Sequence, residues 1–224
     1  MKVFLTGANG AIGSAIRDKF LSLNHEVAGP SSSELDLSDM ASVARYFETH
    51  AADFDVIVHC AGYNKPLEMT EFSLTEYEKT QTVNVTAFLE IVRRNIPYFK
   101  EKGRGYVLGI ASLYGTITRE GRMAYTVSKH GIIGAVQTLA LELGQYGVLC
   151  NTVSPGFVDT PMFRRCNTPE QRDLLCRKIP VGRLSDGKDI ANVVSFLCSA
   201  ENTYVTGQDI TVDGGFMCGG FQRG

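Results

Sequence analysis

Near the start of the chain stands Val3-Phe4-Leu5-Thr6-Gly7-Ala8-Asn9-Gly10-Ala11-Ile12-Gly13, an apolar run followed by three glycines at intervals of three. The run predicts a buried strand, and the apolar residues from Ile12 to Leu23 recur at helical spacing after it. Gly7 suits a tight turn, Gly10 leaves room for a pyrophosphate, and Gly13 lets the helix pack closely on the strand. The amino end of the helix favours an anion. We therefore expect a dinucleotide, held by Gly7, Asn9, Gly10, Ile12 and Gly13.

The alternation of strand and helix continues along the chain. Each predicted strand is a continuous apolar run, which indicates a parallel sheet covered by helices on both faces. Further strands are predicted at Glu26–Gly29, Val56–His59, Tyr106–Ile110, Leu149–Val153 and Asp209–Val212. Helices are predicted at Met40–Thr49 with Ser38 or Asp39 as its cap, Leu74–Glu101, Ala124–Leu143, Pro169–Arg177 and Asp189–Ser199. The fold class is therefore α/β, a single Rossmann-type domain in which a doubly wound parallel sheet forms the middle of three layers.

Chain length, net charge and cysteine spacing limit the number of domains, the partners and the location of the protein. The 224 residues are enough for one large core and few for two domains. A formal charge of -2, with acids and bases scattered, gives no electrostatic reason to expect a nucleic-acid or membrane partner. The first apolar run is too short for a signal peptide, and the six widely spaced cysteines lack a CxxC pair. We expect a cytoplasmic protein without a metal site.

Three residues within and before the longest predicted helix form a candidate acid–base site. Tyr125 and Lys129 are four residues apart and so share one helical face, and Ser112 ends the preceding strand. All three side chains are expected to converge at the carboxyl edge of the sheet, where such folds bind ligands. A phenol with a pKa of about 10 is a poor base at neutral pH, but a nearby cation favours its phenolate. Lys129 would be that cation.

The type of dinucleotide depends on the end of the second strand, where an acid favours NAD and repels the 2'-phosphate of NADP. Here the chain reads Gly29-Pro30-Ser31-Ser32-Ser33, with Glu34 slightly later. The three hydroxyl donors tolerate a phosphate, and Ser31 is the expected contact, although no arginine is adjacent. The sequence therefore favours NADP(H) over NAD(H) and leaves the use of both open.

Together these motifs resemble the short-chain dehydrogenase/reductase family over almost the whole chain. Ser112, followed after twelve residues by Tyr125-Thr126-Val127-Ser128-Lys129, is similar to the family's Ser and Tyr-x-x-x-Lys signature, and Asn84 to its fourth catalytic residue. Further similar motifs are Cys60-Ala61-Gly62, Asn151-Thr152-Val153-Ser154-Pro155-Gly156 with Thr160, and Tyr204-Val205-Thr206-Gly207-Gln208 leading to Val212-Asp213-Gly214-Gly215. Ile179-Pro180-Val181-Gly182-Arg183 looks like the 3-oxoacyl-carrier-protein reductase branch.

The resemblance implies an NAD(P)(H)-dependent oxidoreductase that interconverts a ketone and a secondary alcohol by hydride transfer. Tyr125 would exchange a proton with the substrate oxygen, which Ser112 would hydrogen-bond and position. Lys129 would hold the nicotinamide ribose and lower the pKa of Tyr125, and Asn84 would anchor a water that relays protons. The resemblance implies that Asp36 and Leu37 contact the adenine of the cofactor. The residues implied at the nicotinamide are Pro155, Gly156, Val158 and Thr160. Further implied cofactor contacts, not assigned to one part of the dinucleotide, are Cys60, Ala61, Gly62, Asn84, Tyr125 and Lys129.

Three features depart from the family pattern. Ala11 stands where compact members usually have glycine, so the glycine spacing looks more like that of the extended sugar-nucleotide members. His59 and Cys60 replace two asparagines, which places the side-chain bonds of those asparagines in question. Only six residues, 30–35, separate the second strand from Asp36, too few for the usual helix, so the adenosine pocket should be more open than normal.

Residues 157–180 are expected to form a substrate lid, because they follow the loop predicted to bind the nicotinamide. Arg164 and Arg165 in this lid are interpreted as solvated rather than as substrate contacts. The resemblance also implies a small carbonyl or alcohol substrate and a homodimer or homotetramer formed through the long helices near Asn84 and Tyr125. A glycine-rich tail, Gly219-Gly220-Phe221, is expected to be ordered by a neighbour or not at all.

Two alternative functions remain open. A nucleotide-sugar reductase or epimerase is suggested by the glycine spacing, but the short C-terminal part leaves no separate substrate domain. A non-catalytic dinucleotide-binding regulatory protein would keep the fold, but it would need none of the four residues expected to move protons. An assay of turnover separates these alternatives from a ketone reductase or alcohol dehydrogenase.

Overall fold

A computed structural model describes residues 1–219, with every side chain in that range except those at positions 162 and 166. Within this range, one parallel sheet lies between two layers of helices, which confirms the predicted fold class. The part of the glycine-rich tail from residue 220 onwards lies outside the described residues. No helix of residues 1–219 is both long and apolar enough to cross a membrane.

The sheet of the described residues has six strands. They are β1 (Lys2–Thr6), β2 (Glu26–Ala28), β3 (Val56–His59), β4 (Gly105–Ile110), β5 (Val148–Pro155) and β6 (Asp209–Val212). Every neighbouring pair is parallel, and the order across the sheet is β2-β1-β3-β4-β5-β6. The chain steps from β1 outward to β2 and then returns to place β3 on the other side of β1. The topological switch point, where such sheets bind ligands, therefore lies between β1 and β3.

Eight α-helices connect these strands in the described part of the chain. They are α1 (Ala11–Ser22), α2 (Met40–Thr49), α3 (Leu74–Gln81), α4 (Ala87–Lys102), α5 (Met123–Leu143), α6 (Pro161–Cys166), α7 (Pro169–Lys178) and α8 (Gly187–Leu197). Asp39 is the residue that caps α2, because its side chain accepts a hydrogen bond of 2.9 Å from the backbone nitrogen of Ala41. The short helix α6 was not predicted from the sequence. The predicted lack of a helix between β2 and Asp36 is confirmed, since residues 29–39 form no helix.

The long helical region predicted from Leu74 onwards is interrupted at Asn84. Between α3 and α4, residues Thr82–Thr86 form a π-helical turn with Asn84 buried at its centre. Such single wide turns are frequent at functional sites, because the extra residue turns a side chain toward the interior. The helical periodicity predicts the two flanking helices but not this turn.

Each face of the sheet has its own apolar core. On one face, Ile16 of α1 and Ile190 of α8 pack with Val58 of β3. On the other face, Phe88 of α4 and Ile132 of α5 belong to a second cluster, to which α2 also contributes. Burial on both faces accounts for the continuous apolar strands, and it directs polar residues to the carboxyl edge of the sheet.

Candidate active site

The glycine loop closes tightly between β1 and α1. Gly7 has a φ of +70°, and a Cβ on it would lie 2.7 Å from the backbone nitrogen of Ala61. A Cβ on Gly13 would lie only 2.0 Å from the carbonyl oxygen of Gly7, so the first turn of α1 packs directly on the loop. Gly10 is the N-cap of α1 and supplies no side-chain hydrogen bond to the helix. The loop therefore offers backbone donors and close access, which fit the pyrophosphate of a dinucleotide.

His59 at the end of β3 links this loop to the turn that carries Asn84. Its Nδ1 lies 2.9 Å from the hydroxyl of Thr6, and its Nε2 lies 3.1 Å from the carbonyl of Val83. The Thr6 hydroxyl also accepts a bond of 3.2 Å from the backbone nitrogen of Ala61. The Val83 carbonyl can only accept, so Nε2 carries the proton and donates to it, and Nδ1 of the neutral ring accepts from the Thr6 hydroxyl. His59 thus makes its own set of bonds at a position where the family that the sequence resembles has asparagine.

We expect His59 to make the protein sensitive to acid. Burial, and then the charge of Lys129, lowers the pKa of His59 from 6.5 to about 3. Between these two values the unfolded chain takes up a proton that the folded protein excludes, so stability falls as the pH drops through this window. Lowering the pH from about 7 to about 5 should cost about 2 kcal/mol through this residue. Denaturant unfolding at both pH values measures the effect.

The variant His59→Asn should lose this part of the pH dependence, whatever its stability at neutral pH. The matched control is His50→Asn, which makes the same chemical change at an exposed histidine. An equal loss of stability on acidification in wild type and His59→Asn would show that His59 is not the group responsible.

The three residues of the predicted acid–base site lie together at the end of β4 and the start of α5. Ser112 lies close enough to Tyr125 to lower the pKa of its phenol, and the Ser112 oxygen accepts a bond of 3.2 Å from the backbone nitrogen of Tyr114. The ammonium of Lys129 lies 5.3 Å from the centre of the Tyr125 ring. It donates a bond of 2.7 Å to the carbonyl of Ile110. The structure therefore brings the three side chains to one point.

Burial has the largest effect on the proton affinities of this site. It raises the pKa of Tyr125 to about 12, while the neighbouring Ser112 hydroxyl and the positive charge of Arg122 act in the opposite direction. Burial also lowers the pKa of Lys129 to about 8, which the Cys60 thiol partly opposes. Sequence reasoning missed Arg122, although its position three residues before Tyr125 at the start of a helix could have revealed it. The effect expected of Lys129 on the Tyr125 pKa stays a prediction.

Asn84 is buried and held by three hydrogen bonds. Its Oδ1 accepts a bond of 2.7 Å from the backbone nitrogen of Tyr63, and its Nδ2 donates to the Tyr63 carbonyl at 3.0 Å and to the Ser128 hydroxyl at 2.9 Å. A Cβ on Gly62 would lie 3.8 Å from Oδ1 of Asn84 and 3.9 Å from Nζ of Lys129, so both groups flank that glycine. The side chain of Asn84 thus ties the segment after β3 to α5. Its role in anchoring a water stays a prediction.

The loop that begins with Pro155 follows β5 at the same edge of the sheet. A Cβ on Gly156 would lie 2.7 Å from the Cα of Asp213, so the loop packs closely on the segment after β6. Val158 forms an isolated parallel bridge with the segment before α8, and Thr160 caps α6 with its side chain. The residues predicted to face the nicotinamide therefore run along the carboxyl edge of the sheet.

The segment after β2 contains two carboxylates held by neighbouring serines. The carboxylate of Glu34 accepts bonds from the backbone nitrogen and the hydroxyl of Ser31, each of 2.8 Å. That of Asp36 accepts bonds of 2.8 and 2.7 Å from the backbone nitrogen and hydroxyl of Ser38. These hydrogen bonds lower the pKa of both carboxyl groups. Leu37, directly after Asp36, is buried. The contact of Glu34 with Ser31 was not foreseen from the sequence.

A cavity of about 380 Å³ lies beside this segment. Its lining residues are Gly29, Pro30, Glu34, Tyr46 and His50. Because no helix follows β2 directly, the space that such a helix would take is available here. This agrees with the expectation of an open pocket at the adenosine end.

The predicted lid contains α6 and α7. Arg164 in α6 donates two hydrogen bonds, of 2.8 and 2.7 Å, to the carboxylate of Asp159. These bonds hold the pKa of Asp159 below its usual value. At the start of α7, Thr168 and Gln171 form a capping box. Arg164 is exposed, as interpreted from the sequence, but it is paired within the lid rather than free.

Comparison with known proteins agrees with this arrangement. A family model described as enoyl-(acyl carrier protein) reductase matches residues 2–217. The (3R)-3-hydroxyacyl-CoA dehydrogenase of Rattus norvegicus is 35% identical over 190 residues, which cover 82% of this chain and 73% of that protein. The 3-oxoacyl-[acyl-carrier-protein] reductase of Escherichia coli is 29% identical, with 94% of this chain and 95% of that protein covered. A solved structure described as an NAD(P)-dependent gluconate 5-dehydrogenase from Beutenbergia cavernae, with bound NADP, has a TM-score of 0.89 at 27% identity and covers 97% of each chain.

A doubly wound parallel sheet with a glycine loop after β1 and a Ser, Tyr and Lys group after β4 defines a class of dinucleotide-binding oxidoreductases. The chain belongs to the short-chain dehydrogenase/reductase family. It is an oxidoreductase that interconverts a ketone and a secondary alcohol. The resemblance inferred from the sequence is confirmed, including the likeness to 3-oxoacyl-carrier-protein reductases.

Proposed function

We propose that the chain is a cytosolic NAD(P)(H)-dependent oxidoreductase in which Tyr125 exchanges a proton with the oxygen of the substrate. The observation that carries this proposal is the convergence of Ser112 and Lys129 on the Tyr125 ring and hydroxyl. The same edge of the sheet carries the glycine loop from Gly7 to Gly13, whose shape fits a pyrophosphate. Proton transfer and dinucleotide binding would therefore occur side by side.

The residues that would hold the dinucleotide lie along the carboxyl edge of the sheet. When bound, the nicotinamide supplies or accepts the hydride. The glycine loop would bind the pyrophosphate, Asp36 and Leu37 the adenine, Lys129 the ribose, and the loop from Pro155 to Thr160 the nicotinamide. Closure of residues 157–180 over this edge would exclude water from the substrate.

Each residue of the acid–base site has a separate task in this proposal. The oxygen of Ser112 accepts a bond from the backbone nitrogen of Tyr114, so its hydroxyl proton is free to hold the substrate oxygen in place. Tyr125, with a pKa of about 12, carries its proton at neutral pH and is suited to donate it during ketone reduction. Alcohol oxidation needs the phenolate instead, so that direction should gain from higher pH. Asn84 would anchor the water that returns the proton to solvent.

Turnover of a carbonyl substrate tests this function. Purified protein would be mixed with NADH or NADPH and a panel of ketones and oxo acids, and nicotinamide absorbance would be followed. Consumption of the reduced cofactor that depends on the ketone supports the proposal. Cofactor binding without turnover of any substrate would favour the non-catalytic regulatory protein instead.

The preference between the two dinucleotides is a further prediction. Although the sequence favours NADP(H), the contact between Glu34 and Ser31 supports NAD(H), because a carboxylate at this place repels a 2'-phosphate. We expect a higher kcat/KM with NADH than with NADPH. Glu34→Gln should bring the two values closer, since it removes the negative charge and keeps the side-chain shape.

The control for this variant is Glu142→Gln, an exposed residue of α5 away from β2. It should leave the ratio of the two kcat/KM values as in the wild type. A ratio that Glu34→Gln also leaves unchanged would rule out Glu34 as the residue that selects the cofactor.

We also propose the homodimer or homotetramer that the resemblance implies. Exposed apolar side chains on the two long helices support it: Leu89 of α4 and Met123 and Val127 of α5 are between 37% and 50% exposed. Light scattering after gel filtration measures the mass, and a monomer at micromolar concentration would contradict this assembly.

A further inference from the structure

Arg122 occupies a fixed position beside Tyr125. It is the N-cap of α5 and stands three residues ahead of Tyr125, so the two side chains leave neighbouring positions on one face of the first turn. Two backbone hydrogen bonds hold this point of the chain. The carbonyl of Gly121 accepts a bond of 3.1 Å from the backbone nitrogen of Leu67, and the carbonyl of Arg122 accepts one of 2.7 Å from that of Thr126. The backbone from which the Arg122 side chain extends is therefore held in place by hydrogen bonds.

The charge of Arg122 acts on the acid–base site but is not neutralised by the protein. It is one of the causes that lower the pKa of Tyr125, so the guanidinium is close enough to affect the phenol. The residue is half-buried. Within residues 1–219, its guanidinium makes neither a hydrogen bond nor an ion pair with any described side chain or carbonyl.

Two other arginines of this chain each donate their hydrogen bonds to a carboxylate. Arg164 donates two bonds to Asp159, and Arg183 donates two to Asp189. A guanidinium that is partly removed from water regains its lost interactions best from a carboxylate, whose two oxygens match its fork of N–H donors. Arg122 lacks such a carboxylate among the described residues. A ligand that is bound at Tyr125 and carries a carboxylate would supply one.

We propose that Arg122 binds a carboxylate of the substrate, so that the preferred substrates are short hydroxy acids and the corresponding oxo acids. This inference rests on the proposed function, because it takes the substrate oxygen to lie at Ser112 and Tyr125. The carboxylate would then lie about one helical turn, or about 5 Å, away at Arg122. An acyl thioester or ester carries no free carboxylate there, so the proposal separates hydroxy acids from those two classes.

The test compares free acids with their methyl esters. Hydroxy acids with the hydroxyl at C2, C3 or C4, and the methyl ester of each, would be assayed with the wild type, Arg122→Gln, Arg122→Lys and Arg104→Gln. We expect the wild type to prefer at least one acid over its ester. Arg122→Gln should lower kcat/KM for that acid by about 10- to 100-fold, the loss expected for a charged hydrogen-bonded pair, and leave the ester within a few-fold.

Two further variants keep the result interpretable. Arg122→Lys keeps the positive charge but lacks the paired N–H donors of a guanidinium, so it should retain part of the activity on the acid. Arg104→Gln changes an exposed arginine directly before β4, at the amino end of that strand, and should behave like the wild type on both substrates. Removal of the charge in Arg122→Gln should also move the pH profile for ester oxidation to higher pH, because that charge lowers the pKa of Tyr125.

The outcomes distinguish this inference from the proposed function. If the wild type turns over esters or neutral ketones as well as acids, and Arg122→Gln lowers both classes equally or neither, the carboxylate contact is wrong while the oxidoreductase function stands. If the wild type turns over no alcohol or ketone with either dinucleotide, the proposed function itself fails. An acid-specific loss in Arg122→Gln, partly restored in Arg122→Lys, supports the contact.

Discussion

Replacement of Tyr125 by phenylalanine is expected to lower kcat by about 10²- to 10⁴-fold, the range that general acid–base catalysis contributes. The change removes the hydroxyl and keeps the ring, which packs edge-on against Tyr114 with 6.1 Å between the ring centres. The fold should therefore be maintained. Cofactor binding should change by no more than a few-fold, because the glycine loop is untouched. Steady-state assays and a titration of the reduced dinucleotide measure the two effects.

The matched control is Tyr204→Phe, which makes the same chemical change at a residue that is 92% exposed. It should have the kcat of the wild type. If Tyr125→Phe kept kcat within a few-fold of the wild type, Tyr125 would not be the proton donor, and the acid–base site proposed here would have to be abandoned. A loss of cofactor binding in the same variant would instead indicate that its hydroxyl serves mainly to hold the dinucleotide.

The sequence predicts much of this site because residue spacing carries geometry. Tyr125 and Lys129 are one helical turn apart, and Ser112 lies two residues after a buried strand, so a parallel sheet must bring them to one edge. The same reasoning predicts the glycine loop from its strand and helix. The short connection before Asp36 predicts the missing helix, because length alone excludes it.

Contacts between residues far apart in the sequence could not be predicted in this way. His59 meets Thr6 across 53 positions, and Asn84 meets Ser128 across 44. No periodic pattern carries that information, because each contact depends on how two elements are placed. The π-helical turn at Asn84 shows the same limit, since one extra residue in a helix hardly changes the apolar pattern.

Local side-chain bonds were missed for a different reason. Glu34 folds back on Ser31, three residues earlier, and takes up donors that were assigned to a phosphate. Arg122 is close in sequence to Tyr125, yet its importance depends on the absence of a partner among the described residues, which only coordinates show. In both cases the sequence shows the residue, but it does not show which groups form hydrogen bonds with that residue.

Replacement of Gly13 by alanine is expected to abolish tight binding of the dinucleotide. The added Cβ would lie 2.0 Å from the carbonyl oxygen and 2.7 Å from the carbonyl carbon of Gly7. Both are backbone atoms of the loop, so no side-chain rotation relieves the overlap. Either α1 must move away from β1 or the loop must open, and each change displaces the donors that would bind the pyrophosphate.

The control for this variant is Gly134→Ala within α5, where a Cβ would meet nothing within 4 Å. Since alanine is a better helix former than glycine by up to about 1 kcal/mol, this control should bind the dinucleotide as the wild type does and melt at an equal or higher temperature. Gly13→Ala should melt at a lower temperature and gain little stability from added NADH or NADPH. If Gly13→Ala bound the cofactor with wild-type affinity, the close packing of α1 on the loop could not be what shapes the pyrophosphate site, and another donor group would have to hold it.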